Sequence, residues 1–463
     1  MRLTLLLGSA ALTLAGCSGK KDDAAPAVIS PRAARPDAPA ATAAAPPVAV
    51  PPTEPTPATP PVEATPAAVA APLEGHDFIH EARILYRVVA CSGEAPIPAH
   101  LDSKVVAAHC AKMATKVEEY RSRYVAEARA FFANLIPSGI PDKVVYPFGG
   151  GDLISSLVAF PDALETTTIS LELSGDPRRI ATLARAEQAS SLAGLRGDFG
   201  GMLDVGSNTS ENLRSSQRNQ LPAQLSSFLV GLAVNGFEPV AVRYFRIEAG
   251  GDLDYLDDAE IAAIEGKQEQ AAADEASAQE TGKKKGKRAK AAKARKGSWV
   301  QPNFSEAFAN VEIRYRKMGD PGAAEHVHRH VAWNLANDAM VAQPELLQHL
   351  EQKGRVTGLV KGASYLLWND GFSTIRDYLL AHLDWMLSDS TGIPPAYATK
   401  AGMVQEPLGR FTGSYLKAAE RHNRDFRALW KKNPVRKLPF RFGYVDASKQ
   451  AHLLITRPKQ AGE

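Results

Sequence analysis

Residues 144–173, VVYPFGGGDLISSLVAFPDALETTTISLEL, carry the strongest local signal in this 463-residue chain. The apolar run ending at Tyr146-Pro147 reads as a short buried strand, Gly149-Gly150-Gly151 as a turn, and LISSLVAF as a turn or two of helix. TTTISLEL (166–173) is β-branched and alternates in period two, so it reads as a second strand. The four pieces make one βαβ unit. An acid about 20 residues beyond a glycine loop is where dinucleotide and methyl-donor sites hold a ribose, and Glu172 stands there. The loop nevertheless lacks a full GxGxxG, and Pro147 and Phe148 crowd it.

Working outward, DPRRIATLARAEQASSLAGL reads as a helix with Asp176 at its cap and Pro177 at its first position. LPAQLSSFLVGLAVNG (221–236) is a helix with a glycine stop. VAVRYFRIE (240–248) and ANVEIRYRKM (309–318) read as paired strands, and HVHRHVAWNL and RVTGLVKG as further strands. ELLQHLEQKG and FSTIRDYLLAHLDWMLS read as helices, while RFGYV and HLLITRP suggest a closing antiparallel hairpin. Strands alternating with helices predict an α/β fold, a mostly parallel Rossmann-like or methyltransferase-like sheet with flanking helices. Residues 76–136 are amphipathic at helical spacing, interrupted by SGEAPIPAH, and predict an N-terminal helical cap.

Several blocks carry a resemblance. Tyr146-Pro147-Phe148-Gly149-Gly150-Gly151-Asp152, Phe160-Pro161, Leu171-Glu172, then KGASYLLWNDGFSTIRDYLL, DSTGIP and LPFRFGY follow in order. They are similar to blocks of an uncharacterised family of bacterial lipoproteins and secreted proteins, over about residues 140–460. The chain departs from that pattern at Gly151, where the family loop has proline, and at a charged insertion. The resemblance implies an α/β fold and no particular activity; the C-terminal hairpin also resembles the end of class I methyltransferases.

The N-terminus resembles a bacterial lipoprotein signal: Met1-Arg2, an apolar run from Leu3 to Leu14, then a lipobox-like Leu14-Ala15-Gly16-Cys17. What this implies is removal of residues 1–16, acylation of Cys17, and a membrane partner through that lipid. Ser18 in place of Asp favours the outer membrane, with the protein facing the periplasm. Residues 17–73 are mostly Ala, Pro, Val and Thr and supply no core, so a lipid-anchored disordered tether is expected. At about 3.1 Å per residue it reaches on the order of 150 Å. Residues 74–140 are the expected cap and 141–463 the α/β domain, with a low-complexity charged insertion at 254–298.

Charge adds a further bound. The net +3 conceals nine Lys or Arg at 283–296, so the rest of the chain sums to −6. No nucleic acid is expected. The basic run suits an anionic envelope surface, or pairs with the acidic first half of the insertion as a solvated loop. Outside the cytoplasm ATP, NAD and S-adenosylmethionine are not at hand, and no cofactor is singled out.

Cys91 and Cys110, the pair left beside Cys17, predict a disulfide in an oxidising compartment; a catalytic thiol is the rival reading. His326, His328 and His330 alternate, and on a strand share one face. Two of them suit zinc, or all three form a solvated strand face. Gly149, Gly150 and Gly151 with Asp152, Glu172 and Asp389 are the candidate ligand-binding residues if they meet at the sheet's carboxyl edge. There the acids would hold a cation or act as acid and base. Asp152 could instead cap a helix, and Asp389 support a turn. The expectation is an envelope protein presenting an α/β domain for ligand or partner binding. The alternatives are an extracytoplasmic enzyme, hydrolase-like or metal-assisted, and a degenerate methyltransferase-like fold.

Overall fold

The computed structural model describes residues 74–203, 219–280, 305–361, 363–389, 392–411, 420–433, 436–440, 442 and 452–460. Cys17, the 17–73 tether and the basic run 283–296 lie outside the described residues.

Helix α1 (Ile79–Val88) and the continuous run of α2 (Ser103–Tyr120), a π-helical turn (Arg121–Val125) and α3 (Ala126–Leu135) make the helical N-terminal region. Asp102 caps α2, its carboxylate accepting from the amides of Lys104 and Val105. The π turn sets Tyr124 and Val125 both inward, and Arg121 donates to the carbonyls of Val234 and Ala233. Cys91 and Cys110 form a disulfide, with Cα atoms 5.3 Å apart.

Next come β1 (Lys143–Pro147), α4 (Leu153–Ala159), β2 (Glu165–Ser170), α5 (Arg179–Thr182), α6 (Gln188–Leu203), α7 (Ala223–Asn235), β3 (Phe237–Ile247), β4 (Leu253–Tyr255) and α8 (Asp258–Glu280). The chain continues through β5 (Asn310–Lys317), β6 (His326–Ala332), α9 (Asn337–Ala342), α10 (Glu345–Glu351), β7 (Val356–Val360) and α11 (Ser373–His382). It closes with β8 (Leu383–Asp389), α12 (Pro395–Lys400), β9 (Met403–Gly409), α13 (Glu420–Lys432) and β10 (His452–Pro458).

The ten strands among the described residues join one sheet in the order β4-β3-β5-β6-β2-β1-β7-β8-β10-β9. β6, β2, β1, β7 and β8 run parallel. β4, β3 and β5 extend the sheet antiparallel beside β6, and β10 runs against both β8 and β9. The fold is α/β, but the sheet is mixed rather than mostly parallel, because the paired strands β3 and β5 add to one flank and β10 reverses at the other. Helices cover both faces. Val144 and Tyr146 pack with α1, α4 and α7, while Val145 packs with α9, α10 and α11.

Four further expectations are corrected. The run FSTIRDYLLAHLDWMLS is not one helix: it turns at Leu383 into the buried strand β8. The helix read after Asp176 is two, α5 and α6, broken at 183–187. The first half of the charged insertion, read as part of a solvated loop, holds the end of an edge strand, β4, and a helix, α8. The strand HLLITRP forms as β10, but its partners are β9 and β8; of RFGYV only Phe442 lies among the described residues.

Candidate functional site

β1 is the point where the strand order reverses, with β2 on one side and β7 on the other. In open α/β sheets ligands enter the crevice at the carboxyl ends of such strands. Gly149, Gly150, Gly151 and Asp152 lie there, between β1 and α4, and all four are buried. The left-handed backbone at Phe148 (φ 62°) and Gly150 (φ 52°) makes the tight turn. A side chain at Gly149 would come within 2.9 Å of the Tyr146 ring, and one at Gly151 within 2.5 Å of Gln224 Oε1 and 3.0 Å of Ser227 Cβ. Gly149 thus admits the ring of Tyr146, and Gly151 the side chains of Gln224 and Ser227 on helix α7.

Asp152 does not cap α4 with its side chain. Its Oδ2 accepts from Tyr146 Oη (2.9 Å) and from Lys361 Nζ (2.7 Å), and its Oδ1 accepts from Ser155 Oγ (2.8 Å). Lys361, the residue after β7, also donates to Ser155 Oγ at 2.9 Å. The Asp152 and Lys361 side chains are 6 % and 5 % exposed. This is a closed ion pair across the switch point, and Lys361 was not among the residues picked from sequence. Its own neighbourhood gave no sign, since the partner lies 209 positions away.

Glu172 stands two residues past β2, and burial raises its carboxyl above the usual range. Asp389 ends β8, its carbonyl accepting from Ser364 Oγ (3.2 Å). Asp152, Glu172 and Asp389 do not converge to metal-ligand distance. The one described group of ligating atoms that does is Cys91, His109 and Cys110, and its two sulfurs are joined to each other.

The three histidines do share a face of the sheet, but not a solvated one. His328 and His330 are fully buried against Phe228 of α7, and His326 stacks on Tyr315. The bonding is a directed chain. His330 Nε2 donates to the Glu172 carbonyl (2.7 Å), leaving Nδ1 to accept from Thr168 Oγ1 (3.0 Å). Thr168 then accepts from His328 Nε2 (3.0 Å), and His326 Nδ1 donates to the Ala163 carbonyl (2.8 Å). Burial lowers His330 to about 4 and His328 well below the usual range, so both rings are neutral. Their nitrogens do not form a common metal site.

The opposite face of the same strands carries a second feature the sequence reading missed. Lys353, Glu165, Arg329, Glu312 and Arg243 alternate in charge across β2, β6, β5 and β3, with the Tyr255 hydroxyl also on Glu312. Arg329 and Lys353 hold Glu165 down to about 2 against the cost of its burial. The signal in the sequence was weak, because Arg243, Glu312 and Arg329 stand in strands that carry other polar residues, such as Arg246, Arg314 and the three histidines. Comparison with protein-family models, curated sequences and solved structures finds no match for this chain.

Proposed function

We propose that this chain is a lipid-anchored envelope protein whose α/β domain binds a ligand or partner on a methyltransferase-like scaffold that has lost its nucleotide site. The strand order supports the scaffold: it reverses at β1, and β10 alone among β6-β2-β1-β7-β8-β10-β9 runs against its neighbours. Glu172 keeps the ribose-holding position. The observation that carries the loss is the closed switch point. There Lys361 neutralises Asp152, and Tyr146, Gln224 and Ser227 take the space beside the glycines. A nucleotide cofactor does not fit this loop, so no reaction step is routed through one.

The crevice is tested by thermal denaturation with S-adenosylmethionine, S-adenosylhomocysteine or NAD. A ligand at 100 times its Kd stabilises its host by about 2.7 kcal/mol. We expect no saturable shift with any of them, and a shift of that size overturns the reading. Anchoring is tested separately by labelled palmitate, which should mark the wild-type chain and not Cys17→Ser.

A further inference from the structure

Helices α2 and α6 run side by side, tied by the Asp102 amide on Gln188 Oε1 (2.8 Å) and by Arg196 Nη1 on His109 Nδ1 (3.0 Å). An open groove of about 680 Å³ lies between them. Lys112, Thr115 and Lys116 line it from α2 and Arg196 from α6, where Gly197 and Gly200 leave the floor bare. Gly200 lets the Lys116 ammonium lie against α6, since a Cβ there would come within 3.2 Å of Nζ. Among the described residues no carboxylate lines the groove. Glu119, one turn beyond Thr115, is paired with Arg123. His109 Nε2 donates to the Val89 carbonyl (2.9 Å), so Nδ1 accepts from Arg196 and the ring is neutral; burial lowers its pKa in the same sense. The Arg196 guanidinium is thus oriented without being neutralised. It is half-buried, but its nitrogens not bonded to His109 stay open to solvent. Lys112 is exposed and makes no ion pair with a described residue.

We propose that this groove binds a phosphomonoester, its phosphate group held among Lys112, Lys116 and Arg196 with the Thr115 hydroxyl beside it. Three cations and a hydroxyl, with no acid among them, select an anion. The number of cations selects the kind of anion. A phosphomonoester carries about −1.5 to −2 charges at pH 7 and three acceptor oxygens, so each cation can take one of them. A carboxylate has one charge and two oxygens, which a single guanidinium already satisfies. The bare floor at Gly197 leaves room for the ester group.

The inference rests on reading the domain as a binding module, but not on the anchor or on the closed crevice. A failed groove experiment therefore leaves the nucleotide and palmitate outcomes intact. The test titrates glycerol 3-phosphate, and acetate in parallel, into the full chain carrying Cys17→Ser, followed by calorimetry. Arg196→Gln keeps an N–H for His109 and removes the charge, and Lys112→Gln acts at an exposed position. We expect saturable glycerol 3-phosphate binding, weakened about tenfold in either variant at unchanged melting temperature. Lys104→Gln, exposed on α2 outside the groove, should bind as the parent does. The basic run 283–296 is intact in every variant and cannot account for a difference between them. Sedimentation with phosphatidylcholine vesicles carrying phosphatidic acid separates the sources of the ester. A bound fraction lost in Lys112→Gln assigns the lipid, and saturable glycerol 3-phosphate binding without that loss assigns the free ester. The proposal is overturned if neither Lys112-dependent signal is seen, if Lys104→Gln weakens binding equally, or if acetate binds as tightly as glycerol 3-phosphate.

Discussion

Lys361 and Asp152 illustrate how much a buried ion pair depends on being complete. Each is almost wholly removed from water, and their mutual contact with Tyr146 and Ser155 satisfies charges that would be costly alone. Removing one partner strands the other. Lys361→Met should therefore cost about 3–5 kcal/mol in urea denaturation, whereas Asp152→Leu with Lys361→Met should recover most of that loss. If the double variant is no more stable than the single one, the pair is not the closed unit described here. Sequence made Asp152 visible because it follows a glycine loop, yet it could not assign the role. Whether an aspartate caps a helix, holds a ligand or neutralises a lysine depends on which distant strand arrives beside it.

The same contrast recurs at the scale of elements, where two glycines should behave oppositely. A Cβ at Gly151 would meet Gln224 Oε1 at 2.5 Å and Ser227 Cβ at 3.0 Å, so Gly151→Ala must swing the Gln224 side chain aside and shift Ser227 on α7. That should cost about 1–3 kcal/mol. Gly197 lies exposed within α6 and has open space around its Cα, so Gly197→Ala should be neutral or stabilise by up to about 1 kcal/mol. Matched thermal melts of both variants check the packing of α7 on the loop; equal effects would contradict it. β1, α4 and α7 were legible because turn residues bracket each of them: Gly149 after β1, Pro161 after α4, Gly236 after α7. β8 was not. Leu383–Asp389 continues the apolar content of α11 with no Gly or Pro between, and a short apolar run fits helix or buried strand equally well. Only its place between β7 and β10 decides it.

For the whole molecule the buried histidines set a pH window. His330 and His349 are both lowered by burial to about 4, so in the folded state they refuse protons that the unfolded chain accepts below about 6.5. Stability should accordingly fall as the pH drops from about 6.5 to 4, by on the order of 3 kcal/mol for a fully buried ring such as His330. Glu165, lowered to about 2, adds stability above its ordinary value of 4.5 that is lost between 4.5 and 2. Urea midpoints measured from pH 7 to pH 4 should decline throughout, and a flat profile would mean that the rings are not buried as neutral groups. The charged ladder on the other face has a consequence for how the chain assembles. Glu312 of β5 stands opposite Arg329 of β6. The smallest slip that keeps the same side chains inward is two residues, and it would set Arg329 against Arg314 or Asn310. Either error takes Glu312 away from Arg329 and leaves that guanidinium only its Glu165 partner on β2. The ladder therefore proofreads strand alignment: once the helices cover it, an off-register pairing is penalised.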